Sequence, residues 1–190
     1  MPSRRYHHGD LRRAVLDAAV EVITEAGPAG VSLRELARRA GVSHAGPIHH
    51  FGDKAGVLTA LAAEGYDLLA GSLTEVRDRT GEFVEVGVAY VRFAIAHRAH
   101  FEVMFRPDLY HADDPAVVAA STRASEVLTG GVATVADRTG DADLAVAGVA
   151  AWSIVHGFAT LCLTGALSPR FADDPETTAR AVAGMLFRRR

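Results

Sequence analysis

Five of the nine histidines, His7, His8, His44, His49 and His50, fall within the first 60 residues. Near them stand the hydroxyls of Ser32 and Ser43, and Lys54, the only lysine in the chain. Imidazoles can hold a metal ion, and imidazole, hydroxyl and ammonium groups can contact the phosphates and base edges of a nucleic acid. The metal reading fails on geometry. His49 and His50 are consecutive, and consecutive helical residues point about 100° apart, so the two rings cannot easily clasp one ion. No HExxH pair and no cysteine cluster accompanies them, and no metal site or cofactor is expected. Catalytic patterns are as scarce. There is no nucleophile elbow and no phosphate loop, and Ser153 with His156 is a helical i, i+3 pair of a kind that arises by chance. An enzyme is not expected.

The charge distribution favours the nucleic-acid reading for one end of the chain. Residues 1–60 carry eight Arg/Lys against six Asp/Glu, whereas the remainder carries twelve against seventeen. A cationic head on an acidic body can bind a polyanion through the head alone. The single cysteine, Cys162, cannot form an internal disulfide, which fits a reducing cytoplasm. The first residues are polar and basic, unlike a signal peptide. The most apolar stretch, 144–167, is interrupted by His156, glycines and hydroxyl residues. It reads as a buried core helix, too broken to span a membrane, and no membrane partner is expected.

The elements that must position these groups read as helices throughout. The fold class is all-α, with about nine helices: 10–26, 33–40, 44–51, 54–79, 82–97, 98–105, 114–137, 141–166 and 174–188. Asp10, Ser32, Ser43, Asp53, Asp141 and Asp173-Asp174 stand at plausible starts, and Gly27-Pro28-Ala29-Gly30, Gly52, Gly81 and Gly165 at plausible stops. Ser32 and Glu35 have capping-box spacing. No run of alternating β-branched residues reads as a strand. The natural division is a head over 1–54 and a body over 55–190.

Within the head, Ala37, Gly41, Val42 and Ser43 supply a small contact residue, a turn, an apolar plug and a cap. That is what one helix needs to hold the next across a short turn and aim its first residues at base edges. The same spacing also makes an ordinary helical hairpin with a glycine turn.

The run SLRELARRAGVSHAGPIHHFGDKAGVLTAL, with YHHGDLRRAVLDAAVEVI before it, resembles the DNA-binding domain of the tetracycline-repressor (TetR) family of bacterial regulators. AWSIVHGFATLCLTG (151–165) resembles the Trp-x-x-x-His-Gly signature of one group of carboxy-terminal domains in that family, and YVRFAIAHRAHFEVMF (90–105) resembles the same group. The resemblance implies an all-helical homodimer and a ligand-responsive regulator, in most cases a repressor released from a palindromic operator on double-stranded DNA by an unidentified small-molecule effector. It implies that Ser32 and Ser43 contact phosphates, that Arg34 and His50 lie at the DNA, and that His44, Ala45, Gly46, Pro47 and His49 face the major groove. Lys54 would reach a phosphate, and Arg4 and Arg5 would form an amino-terminal arm. Position 48, usually tyrosine in the family, is Ile48 here. It loses a phosphate-binding hydroxyl; Ile48 still stands among the residues expected at the DNA, with the core of the head as its other place.

The body supplies candidates for an effector site: Tyr66, Tyr90, Phe93, His97, Phe101, Met104, Phe105, Trp152 and His156. His156 lies one helical turn after Trp152 on the same face. A hydrogen bond that pins two helices together is as natural a role for it as a ligand contact. Small residues on the last two helices (Ala145, Ala147, Gly148, Ala150, Ala151; Ala179, Ala181, Ala183, Gly184) permit close helix packing, and suggest a homodimer through those helices. Two other functions fit an all-helical chain: a small-molecule-binding protein or enzyme without sequence-specific DNA binding, and an architectural DNA-binding protein with no ligand.

Overall fold

The computed structural model of the chain describes residues 8–136 and 144–185. Arg4, Arg5, Asp141 and the terminal Arg188-Arg189-Arg190 lie outside them. The described residues form helices and no strand. Ten helices follow in order: α1 (His8–Ala26), α2 (Leu33–Arg39), α3 (Ala45–Phe51), α4 (Lys54–Thr80), α5 (Phe83–Ala96), α6 (Arg98–Met104), α7 (Pro115–Ala136), α8 (Leu144–Leu163), α9 (Pro169–Ala172) and α10 (Pro175–Gly184). Nine correspond to the helices expected from the sequence. The tenth, α9, is a single turn opened by Pro169, too short for a periodic apolar pattern to reveal.

The helix starts hold with three corrections. Asp53 accepts from the amide of Gly56 at 2.8 Å and Asp174 from that of Thr177 at 3.0 Å, as caps do. α1 is already helical at His8, so Asp10 stands inside it. Ser32 accepts from the amide of Glu35 at 3.3 Å, but the Glu35 carboxylate turns to Arg38 and Arg39 rather than back to Ser32, so only half of the capping box forms. At α3 the cap position is His44, which makes no side-chain cap bond; Ser43 contributes its carbonyl to the amide of Gly46 at 2.9 Å.

The chain clusters into two compact units. The first runs up to Gly65 and takes in Ala99–Val118; the second comprises Tyr66–Arg98 and the residues from Ala119. In the first, α1 packs on α2 and α3, and its Val15, Leu16, Ala19, Val22 and Ile23 are buried. Leu36 and Ala37 of α2 and Val57, Leu58 and Leu61 of α4 are buried too. A polar chain crosses this unit: Arg13 of α1 donates to Glu64 of α4 at 2.7 Å, and the other Glu64 oxygen lies 3.1 Å from Nε2 of buried His100 on α6.

In the second unit α5 is the hub. Val86 to Val91, Phe93 and Ala94 are buried, and α8 and α10 pack on them. A side chain at Gly87 would come 3.1 Å from Val155 of α8 and 3.6 Å from Ala183 of α10, so the absence of a Cβ there lets three helices meet. Two ion pairs lace α5 to α10, Arg92–Glu176 at 2.6 Å and Glu85–Arg180 at 2.6 Å.

α8 differs from the sequence expectation in two ways. At 20 residues it is long and apolar enough to cross a membrane by length and composition, and only 17 % of its most apolar stretch is buried within the chain. The polar residues that seemed to interrupt it are absorbed. The Thr160 and Thr164 hydroxyls donate to the carbonyls four residues back, and His156 bonds to α5. One face, Ala151, Val155, Phe158 and Ala159, is core; Leu144, Val146, Val149 and Leu161 are exposed.

Candidate functional site

In the head, two short helices, α2 and α3, are held against α1. Ala37 is buried where α2 meets its neighbours, and the turn between α2 and α3 is made by Gly41 at φ 65°. The positive φ strains any residue with a Cβ. The amide of Val42 returns to the carbonyl of Ala37 at 3.0 Å, and its side chain lies against the site of Gly46. Arg39 fixes α2 to α1 through Glu25 at 2.6 Å, and is itself held within α2 by Glu35 at 2.8 Å. Hydrogen bonds from Arg38 and Arg39 hold the Glu35 carboxyl down at about 2. Arg34, by contrast, is exposed and carries no ion pair among the described residues.

The rotation of α3 about its own axis decides which residues can touch DNA. Pro47 is its buried residue. A Cβ at Gly46 would come 3.1 Å from Leu11 of α1. His50 and Phe51 are half-buried, and Arg12 of α1 lies 5.6 Å from the centre of the Phe51 ring. His44, Ala45, Ile48 and His49 are exposed. Pro47 and the half-buried Gly46, both expected at the DNA, turn toward the head's own interior, and Ile48, of the two places open to it, takes the outward one. A seven-residue helix has too few turns for its apolar period to give this phase. Ser32 and Ser43 are exposed as well, and Lys54 donates to the carbonyl of Ala29 at 3.1 Å with two further ammonium protons to offer. The rings of His49 and His50 stand edge to face at 5.5 Å, and no group of three or more metal-ligating side chains occurs among the described residues.

The nine effector candidates divide between the units. Phe101, Met104 and Phe105 belong to the first, where Phe101 and Met104 are core and the two phenyl rings pack 5.0 Å apart. Tyr66, Tyr90, Phe93, His97, Trp152 and His156 belong to the second. There the structure joins Tyr90, Trp152 and His156: Trp152 Nε1 lies 3.2 Å from the Tyr90 hydroxyl, which lies 2.9 Å from His156 Nδ1. Phe93 and His97 stack at 5.0 Å. The role of His156 as a bond between helices is therefore present. Burial pushes its imidazole below the ordinary range and the Tyr90 phenol above its own, so both are neutral near pH 7.

Trp152 also lines an apolar cavity of about 20 Å³ with Phe83, Gly87, Leu128, Ala151 and Val155, room for about one water. A separate open groove of about 630 Å³ runs between α4 and α7, lined by Asp67, Thr74, Glu75, Arg77, Arg123 and Glu126. Sequence reading missed this groove and the Arg13–Glu64–His100 chain, because both depend on residues far apart in sequence that only folding brings together.

A short helix held across a glycine turn, with one face anchored and the other presented, followed by a helical body, is the layout of a DNA-binding regulator. Residues 83–186 match the model of the tetracyclin repressor-like C-terminal domain, and residues 15–61 that of the bacterial regulatory proteins of the tetR family. The chain belongs to the TetR family of ligand-responsive transcriptional regulators. A protein of unknown function from Rhodococcus sp. RHA1 is similar over 97 % of both chains, at 31 % identity and a TM-score of 0.80. The fold is shared with the TetR family regulator PfmR from Thermus thermophilus (22 % identity, 91 % of this chain and 96 % of that one, TM-score 0.70). It is shared too with a tetR-family regulatory protein from Rhodococcus RHA1 (19 % identity, 93 % and 95 %, TM-score 0.74). No curated protein matches the sequence significantly.

Proposed function

We propose that the chain is a cytoplasmic repressor, a homodimer that holds a palindromic operator until a small molecule releases it, with no catalytic step and no metal or cofactor. Residues 1–54 are the DNA-reading part and 55–190 the effector-binding and dimer-forming part. The observation that carries the reading is the exposed face of α3, His44, Ala45, Ile48 and His49, on a helix whose other face is anchored. Side chains on such a face reach base edges in the major groove. Ser32, Arg34, Ser43 and Lys54 are placed by this reading at phosphates, with Arg4 and Arg5 as an arm, and the half-buried His50 packs beside Phe51.

The dimer is assigned to the exposed apolar face of α8 with α10. Val146, Val149 and Leu161 are exposed there, and a side chain at Gly157 or Gly184 would meet nothing among the described residues. Not all the small residues serve this face, since Ala151, Ala179 and Ala183 are buried against their own chain. The exposed apolar surface of α8 is assigned to a second protein chain rather than to lipid.

The effector site is assigned to the second unit around Tyr90, Trp152 and His156. A cavity of about 20 Å³ is far below the several hundred Å³ of an ordinary ligand site. The effector therefore binds a more open state and draws the population toward it. Release of DNA follows only if that state binds the operator more weakly. Selection of bound fragments from randomised duplex DNA at near-physiological salt tests the reading. An inverted repeat is the expected product; a single, unrepeated half-site would contradict the dimeric operator.

A further inference from the structure

We propose that Ile48 reads the C5-methyl group of thymine, so that each half of the operator carries a thymine at the position beneath it. The inference rests on the reading above, that α3 enters the major groove.

Two contacts fix the phase of α3: Pro47 is buried, and Gly46 lies against Leu11, which a Cβ at that position would approach to 3.1 Å. At about 100° per residue, positions 46, 47, 50 and 51 then share the inner half of the helix, and 44, 45, 48 and 49 share an outer arc of about 140°. Within that arc Ile48 and Ala45 take the middle, and His44 and His49 take the flanks. Ile48 is 45 % exposed. A lone exposed isoleucine is ordinary on a protein surface. What distinguishes this one is its place at the centre of the presented face, with a methyl-bearing neighbour and an imidazole on each side.

Isoleucine has no donor or acceptor. Against the oxygen of guanine or the amino group of cytosine it would strip water from a polar atom and return nothing. The thymine methyl is the apolar feature that the major groove offers, and burying it against Ile48 removes apolar surface from water on both sides. The flanking imidazoles are left for hydrogen bonds to purine edges or phosphate oxygens.

The test uses the whole chain and a duplex recovered from the random pool. Each thymine is replaced by uracil, in symmetry-related pairs, which deletes the methyl and keeps the pairing. The dissociation constant is measured at fixed salt. One pair of positions should lose about three- to five-fold in affinity per methyl. In Ile48→Ala the same replacement should cost nothing, while the rest of the site is still recognised. Uracil scanning of the unaltered protein does not depend on any variant folding. Absence of a uracil effect at every position overturns the proposal, as does an effect that persists undiminished in Ile48→Ala. Recovery of no specific site at all overturns the DNA reading itself and the proposal with it.

Discussion

The Tyr90 hydroxyl lies 2.9 Å from Nδ1 of His156, and the indole Nε1 of Trp152 lies 3.2 Å from the same oxygen. An indole nitrogen only donates, so the Tyr90 oxygen accepts from Trp152. The same hydroxyl is hydrogen-bonded to Nδ1 of His156, in a direction set by the imidazole tautomer. One hydroxyl on α5 thus holds two side chains a turn apart on α8. Tyr90→Phe removes one atom and both bonds. Stability to denaturant should fall by about 1–3 kcal/mol with helix content unchanged. An unaltered unfolding midpoint would show that the two bonds carry no net stability.

The same pair sets a pH dependence. Burial lowers the pKa of His156 from its ordinary 6.5. Above that ordinary value both the folded and the unfolded chain hold it neutral, and its contribution is constant. As pH falls through the unfolded value the unfolded chain binds the proton first, so stability declines until the folded value is passed. His156→Asn keeps an acceptor for Tyr90 but does not titrate. Unfolding free energies measured between pH 7.5 and about 5 should fall more steeply for the unaltered protein than for this variant. Parallel curves would exclude His156 as the titrating group. Trp152, the only tryptophan, gives the fluorescence signal.

Two glycines should respond differently to one added methyl. A Cβ at Gly65 would stand 2.6 Å from the sulfur of Met104 and 3.0 Å from Cβ of His100, so Gly65→Ala forces α4 and α6 apart and should cost about 1–3 kcal/mol. At Gly41 the space is open, and the cost of Gly41→Ala comes from the backbone alone, about 1 kcal/mol. Thermal unfolding of both variants checks the order; the reverse order contradicts the packing of α4 on α6.

Much of this was legible beforehand. The helices follow from apolar spacing, and the turn at Gly41 from a glycine between an apolar contact and an apolar plug. What escaped was phase and partnership. In the seven residues of α3 no period could show that Pro47 turns in and Ile48 out; that is settled by Leu11, more than thirty residues earlier in the chain. Ser43 looked like a cap because its hydroxyl stands at the right distance in sequence, yet it is its carbonyl that accepts from the amide of Gly46. α8 read as a buried core helix because composition alone does not say whether apolar surface is covered by its own chain or by another.

The exposed face of α8 makes its own prediction. Val149 is 60 % exposed, so Val149→Arg should leave the chain folded. At the centre of an apolar dimer face the same charge would be buried without a partner, which is strongly unfavourable. Sedimentation should show a dimer for the unaltered protein and a folded monomer for the variant. A variant that remains dimeric places the interface elsewhere.

On the proposed reading, the presented face of α3 makes this chain a sequence-specific reader of DNA. The most direct measurement compares affinity for the selected duplex with affinity for a scrambled duplex of the same length and composition, at near-physiological salt. Specific binding should be at least about a thousand-fold tighter, with the two affinities converging only in His44→Ala/Ile48→Ala/His49→Ala. A ratio near one in the unaltered protein, with both affinities falling alike as salt rises, would contradict the claim.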